Sequence, residues 1–259
     1  MVTIKTKEEI DIIRVGGHKL AAILKALVAM VKPGVSTAEI EDLCCELIEK
    51  AGGRPSFKDY PMGANVYFPT AVCASINNEV VHGPAVPGRI LKAGDIIDLD
   101  IGMEYPAKNG LFTDMCVTVP VGKVSKEATK LMKVSRDCLT AAIKKVKAGA
   151  TLNDIGKAVE SLADKYNYGV VRDLVGHGVG YKAHEEPNVF NYEIGDNSSE
   201  NMTLKEGMVL AIEPMINMGT WKVKTAPDRM TVITADGSLS AHFEHTVVVT
   251  KNGCEVLTI

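Results

Sequence analysis

The sequence lacks the features that mark most special classes of protein. Its 259 residues include one tryptophan, and its six cysteines contain no C-x-x-C pair. That excludes a disulfide framework or a thiolate zinc module as the organising principle, and a reduced compartment is expected. No apolar run approaches the roughly 18 residues of a membrane span; the longest, Leu20 to Val31, carries Lys25 inside it. There is no block of Lys or Arg, and 29 basic side chains stand against 32 acidic ones for a formal charge of −3. No broad positive field is available for nucleic acid or anionic lipid, so neither a specific nucleic-acid site nor a membrane is expected. The opening MVTIKTKEEIDII interrupts apolar residues with charge and resembles neither a signal nor a transit peptide, so a cytoplasmic location is expected. A chain this long buries roughly 70 to 75% of its unfolded surface, so a metal would serve chemistry rather than stability.

What is present is a repeated order of elements. Thr6-Lys7-Glu8-Glu9 and Ser36-Thr37-Ala38-Glu39 are capping boxes that open amphipathic helices, the first stopping at Lys32-Pro33-Gly34 and the second at Gly52-Gly53. A Pro-, Gly- and Asn-rich stretch to about Pro69 reads as loop. Strand patterns follow at Ala71 to Ile76, Val80-Val81, Ile96 to Gly102 and Phe112 to Val119. Helical patterns then return from about Lys126 to Val146 and Thr151 to Tyr166, followed by strands at Val170-Val171, Met208 to Glu213, Thr231 to Thr234 and Phe243 to Thr250. Asp236-Gly237, within the segment from Lys222 to Ser238, suggests a hairpin turn.

Individual residues match between the halves. Val31-Lys32-Pro33-Gly34 pairs with Val146-Lys147-Ala148-Gly149 at an offset of 115, and Ile96-Ile97-x-Leu99-Asp100 with Val209-Leu210-x-Ile212-Glu213 at 113. Asp114-x-x-Val117 likewise answers Glu244-x-x-Val247, and His82-Gly83 answers His177-Gly178. One half reads as a diverged copy of the other, with halves of about 1–122 and 123–259 forming one catalytic domain over 1–259. Two such α-then-β halves closing on each other place Asp100, Asp114, Glu213 and Glu244 around one cleft. Four carboxylates in an apolar cleft must share protons or hold cations, and two divalent ions cancel their formal charge. Oxygen ligands with one imidazole suit Mn, Fe or Co better than a thiolate-type zinc site. His18, His242 and His245 read as structural. Gly176-His177-Gly178-Val179-Gly180 opens no helix and is no dinucleotide loop; His184-Glu185 does not extend to H-E-x-x-H, and no Walker or G-x-S-x-G motif occurs.

The ordered set Asp100, Asp114, His177, Glu213 and Glu244, spaced by 14, 63, 36 and 31 residues, stands in DIIDLDIG, GHGVG, AIEP and FEHT, accompanied by SINNEVVHG and HEEP. From KEEIDIIRVGG to EHTVVVT the chain resembles the type I methionine aminopeptidases. The resemblance implies an α+β pita-bread fold, two pseudo-symmetric α/β halves around a central antiparallel sheet. It implies two divalent ions (Co, Mn, Fe or Zn) on Asp100, Asp114, His177, Glu213 and Glu244, with Asp114 and Glu244 bridging. It also implies water-activating two-metal hydrolysis in which Glu213 moves the proton, His184 steadies the substrate carbonyl and His82 contacts the leaving amide nitrogen. Met62, Phe68, Cys73 and Trp221 would form the methionine pocket. Two positions depart from the family, Ala183 before His184 and Asn65, where aromatics are usual; Tyr181 is the expected substitute.

The implied activity is removal of the initiator methionine from nascent chains whose second residue is small. Peptide and nascent-protein N-termini are the implied partners, with any ribosome contact transient and a monomer expected. The alternatives are an Xaa-Pro aminopeptidase or prolidase-type peptidase of the same fold, and a non-catalytic pita-bread binding protein.

Overall fold

A computed structural model describes residues 2–63 and 66–259; Asn65 lies outside the described residues. Both predicted capping boxes form. The Thr6 hydroxyl accepts from Glu9 N while the Glu9 carboxylate accepts from Thr6 N, opening α1 (Lys7–Met30), and Ser36 with Glu39 opens α2 (Thr37–Lys50). Ser125 caps α3 (Lys126–Ile143), and a third box of Thr151 with Asp154 opens α4 (Leu152–Ala163). Each cap satisfies backbone donors that the first helical turn leaves without partners.

Helices α1 and α2 cover an antiparallel sheet in which Ile96–Tyr105 pairs with Val72–Ile76 and Leu111–Pro120. Helices α3 and α4 cover a second antiparallel sheet in the order Glu185–Val189, Gly176–Gly178, Val209–Ile212, His245–Thr250, Gly253–Val256. Side chains alternate across a strand. Ile97, Leu99, Ile101 and Met103 therefore join Leu20, Leu24, Leu27, Ile40 and Ile48 in one apolar core, and Leu210, Ile212, Val247 and Val249 join Leu131, Leu139, Ile155 and Val159 in another. The intervening positions point away from the helices: Asp98 pairs across from Thr118, Asp100 from Cys116 and Gly102 from Asp114.

The halves are stitched at those positions. Asp114 N donates to the Thr246 hydroxyl (3.0 Å), which donates back to Asp114 O (2.8 Å). His242 N and the Thr118 hydroxyl exchange an equivalent pair, and Glu244 N donates to Cys116 O at 3.2 Å. The polar faces of both sheets thus meet along one seam.

Several short strands, including Gly176–Gly178, Met215–Asn217 and Ser240–His242, escape sequence reading because they are too short to show a period. The stretch read as loop holds Arg54–Pro55, Pro61–Gly63 and Val66–Tyr67, short strands of two or three residues. The hairpin is present, but its turn is elsewhere. Val223–Thr225 pairs with Val232–Thr234, and Ala226 N donates to Thr231 O at 2.8 Å across Pro227-Asp228-Arg229. Asp236 instead accepts from the backbone N–H of Thr220 and Ser238. The hairpin is anchored on Glu79–Val81, the strand that leads into His82.

Gly17 on α1 carries a testable constraint. A Cβ there would lie 2.2 Å from Leu257 O, and neither backbone can yield without moving a helix or the chain end. Gly17→Ala is expected to cost about 3 kcal/mol, lowering Tm by roughly 6–12 °C in calorimetry. A Tm within about 2 °C of wild type would show that the contact is soft.

Candidate metal centre

The seam brings Asp100, Asp114, His177, Glu213 and Glu244 to the wall of one cavity of about 340 Å³. Asp114, His177 and Glu244 present ligand atoms all within 4.8 Å of one another, and His177 Nε2 lies 3.3 Å from Glu213 Oε1. The backbone explains the convergence. Asp100 and Asp114 stand on paired strands of the first sheet, His177 pairs with Ala211 two residues before Glu213, and Glu244 is held by its N–H on Cys116.

The electrostatics are those of a cation site. Burial pushes the Asp100 carboxyl up to about 8, with Asp98 and Glu213 adding to the rise against the pull of His242. Burial raises Asp114 and Glu244 well above the usual carboxylate range, and Glu213 upward as well. Burial lowers His177 to about 3, with His184 beside it adding to the shift, so its ring is neutral and available to a metal. Asp100 Oδ1 and Glu244 Oε1 are buried without any hydrogen-bond partner. Orphaned carboxylate oxygens in a dry pocket fit divalent cations, which would supply the missing partners and the compensating charge.

The neutral histidines flank this cluster. His82 is held at φ 58°, a backbone conformation rarely adopted by a residue with a β-carbon. Burial lowers its ring to about 4, helped by His184 and His242. His184 stacks 4.3 Å from His177, and its Nδ1 faces Tyr60 Oη at 2.9 Å. Tyr60, and not Tyr181, is therefore the aromatic beside His184. Tyr181 is exposed and donates to Glu9 Oε1 at 2.7 Å, while Ala183 is buried beneath the loop.

One end of the cavity is apolar. Phe57, Phe68 and Cys73 form a buried cluster against which Tyr60, Met62 and Met230 pack. Trp221, expected in this wall, does not line the cavity. It is 37% exposed and stacks under the Arg172 guanidinium at 5.3 Å, because the hairpin from Val223 carries the chain outward before returning it. Met230, at the end of the hairpin turn, packs against the Phe57, Phe68 and Cys73 cluster without lining the cavity. Met230 gave no sequence signal, since a lone methionine in a polar loop looks like any other.

His242 was also missed. Its ring is buried between Asp98 and Glu213, each 3.5 Å away, and although burial opposes it those carboxylates hold the imidazole well above its ordinary value. Asp98, Cys116 and His242 make a second group of potential ligands within 4.8 Å. The only sequence hint was that His242 shares the face of Glu244. His245 turns away to Thr258 Oγ1 at 3.0 Å, and His18 is exposed on α1.

Known proteins agree with this geometry. The model of metallopeptidase family M24 matches residues 11–251. The chain is 43% identical to a methionine aminopeptidase of Treponema pallidum across 100% of this chain and 96% of that one, and 40% identical to methionine aminopeptidase 1 of Bacillus subtilis across 100% and 99%. A methionine aminopeptidase from Thermotoga maritima superposes with a TM-score of 0.92 at 38% identity, covering 100% of this chain and 99% of that one. A prolidase from Pyrococcus furiosus shares the fold at TM-score 0.76 and 22% identity, with 65% of its length covered. The architecture is the α+β pita-bread fold, and the chain belongs to metallopeptidase family M24.

Proposed function

We propose that this chain is a methionine aminopeptidase that removes the initiator methionine from nascent proteins whose second residue is small. One observation carries the reading: the acidic cluster and the apolar cluster of Phe57, Phe68, Cys73 and Met62 are walls of the same small cavity. A site that holds a thioether side chain at one end and a peptide bond against carboxylates at the other cuts behind a terminal methionine. The two halves, 1–122 and 123–259, work as a single catalytic domain.

Asp100, Asp114, His177, Glu213 and Glu244 would hold two divalent ions drawn from Co, Mn, Fe and Zn. When bound, these ions supply Lewis acidity and the positive charge that the buried carboxylates lack. Glu213, whose carboxyl burial raises, takes the proton of the attacking water and passes it on. The Tyr60 contact at Nδ1 leaves His184 Nε2 for the substrate carbonyl. His82, uncharged at neutral pH, faces the leaving amide nitrogen. Asp100 holds the free amino terminus, which makes the cleavage exopeptidic. The partners are peptide and protein N-termini; the enzyme works as a cytoplasmic monomer with at most transient ribosome contact.

Metal-reconstituted protein incubated with Met-Ala-Ser and its Leu-, Lys- and Pro-initiated analogues tests this reading, with methionine release expected to dominate. Preferential cleavage of Xaa-Pro peptides, or no cleavage at all, would sink it. The pocket wall has its own check: Met62→Ala is expected to raise KM for Met-Ala-Ser roughly tenfold by removing apolar contact, whereas Trp221→Ala stays within about twofold. Equal effects would put Trp221 back in the pocket.

A further inference from the structure

His242 is used neither by the ligand set nor by the proposed substrate contacts, yet its ring lies between two carboxylates. Nε2 is 3.5 Å from Glu213 Oε2 and Nδ1 is 3.5 Å from Asp98 Oδ2. The ring is almost completely buried, and both its nitrogens and Asp98 Oδ2 lack any conventional hydrogen-bond partner. The backbone of His242 is clamped at both ends by one side chain: His242 N donates to Thr118 Oγ1 at 2.8 Å, and the Thr118 hydroxyl donates to His242 O at 2.9 Å. Thr118 faces Asp98 across the strand pair, with Oγ1 3.4 Å from Asp98 Oδ1. Asp98, Thr118 and His242 are thus tied to one another by strand register, and the imidazole can present its far nitrogen in one direction only.

That direction is Glu213. Its other oxygen, Oε1, is the one 3.3 Å from His177 Nε2. We propose that His242, oriented by Asp98, is a positioning residue that holds Oε2 of Glu213 and so keeps Oε1 turned toward His177 and the cleft. A glutamate has three side-chain torsions, and a base that swings loses the geometry on which proton transfer depends. A fixed partner on the oxygen that does no chemistry removes that freedom, as outer partners do for ligands at metal sites in general. Contacts of this kind are commonly long in a ligand-free site and tighten when substrate binds. The inference rests on the role given to Glu213 above.

The test uses cobalt-loaded full-length protein and three substitutions, read by kcat and KM on Met-Ala-Ser, by the visible absorption of bound cobalt, and by metal stoichiometry. His242→Leu keeps the volume and removes both nitrogens; it is expected to lower kcat about 10- to 100-fold with KM within about twofold, and to shift the cobalt bands. His242→Gln, whose amide can still donate one N–H to Oε2, should recover at least about a third of wild-type kcat and restore the bands. Asp98→Asn should fall between them, about 3- to 10-fold down in kcat. If His242→Leu does not fold, Asp98→Asn against His242→Gln carries the comparison. The proposal is overturned if His242→Leu or Asp98→Asn turns over like wild type, if Gln is as poor as Leu, or if the loss falls in KM. A third ion per chain that disappears in Cys116→Ser would also overturn it, because Asp98 and His242 would then be ligands. The cobalt spectrum reports Glu213 even if wild type releases no methionine, so failure of the enzymatic reading and failure of this one are seen separately.

Discussion

Glu213→Gln is expected to lower kcat by about two to four orders of magnitude, the usual worth of a positioned acid or base, while the protein keeps its Tm and circular dichroism spectrum. The substitution changes one oxygen for nitrogen and leaves the volume intact, so the apolar core beneath it, Leu210 and Ile212 against α3 and α4, is undisturbed. What is lost is an acceptor for a proton at a carboxylate that faces both His177 and His242. Because the loss belongs to the transition state, KM for Met-Ala-Ser should move little compared with kcat. An amide is also a poorer ligand than a carboxylate, so metal content must be measured in the same sample. A fully loaded Glu213→Gln protein that turns over within about threefold of wild type would remove Glu213 from the mechanism.

The second large effect concerns metal. Chelation should abolish activity and expose a pH dependence that the loaded protein does not show. In the metal-free protein burial pushes the Asp100 carboxyl up from its ordinary 3.8 to about 8. Between those values the folded chain keeps a proton that the unfolded chain has released. That contribution is therefore full below about pH 4 and declines as pH rises toward about 8, the raised carboxyls of Asp114 and Glu244 act in the same sense, and the lowered rings of His82 and His177 oppose them only below about pH 6.5. Divalent ions replace those protons, so loading releases protons and removes the slope. At a hundredfold excess over Kd the ion contributes about 2.7 kcal/mol, or roughly 5 to 10 °C in Tm. Asp114→Asn should lose most of that gain. A metal-free protein whose Tm is flat from pH 6.5 to pH 8, above the range in which the histidines titrate, or a Tm gain that survives in Asp114→Asn, would show that these carboxylates are not the ligands.

Most of the frame was legible because it is written in local rules. Capping boxes at Thr6 and Ser36 mark helix starts through contacts three residues apart, and alternation in IIDLDIG places Asp98 and Asp100 on the face opposite Leu99 without any knowledge of what lies there. The pairing of Asp100 with Glu213 and of Asp114 with Glu244 was visible only because the chain repeats itself. Trp221 and Met230 were not separable by such rules. Both are single apolar residues in a polar segment, and that Met230 and not Trp221 packs against the Phe68 cluster depends on where the hairpin turns, where the Asp228 side chain accepts from the N–H groups of Met230 and Thr231. Tyr60 was hidden in a stretch rich in Pro and Gly for the same reason.

The sequence alone determined the helix starts and the faces of the long strands, since periodicity and spacing record which neighbours along the chain share a face. Only the tertiary structure decided which side chains from different elements touch. The seam where Thr118 meets His242 and Thr246 meets Asp114 joins residues more than a hundred positions apart. Its geometry puts His242 between Asp98 and Glu213. Those contacts arise where the strand Leu111–Pro120 meets the segment from His242 to Thr246 edge to edge, a condition of the whole chain that no local window contains.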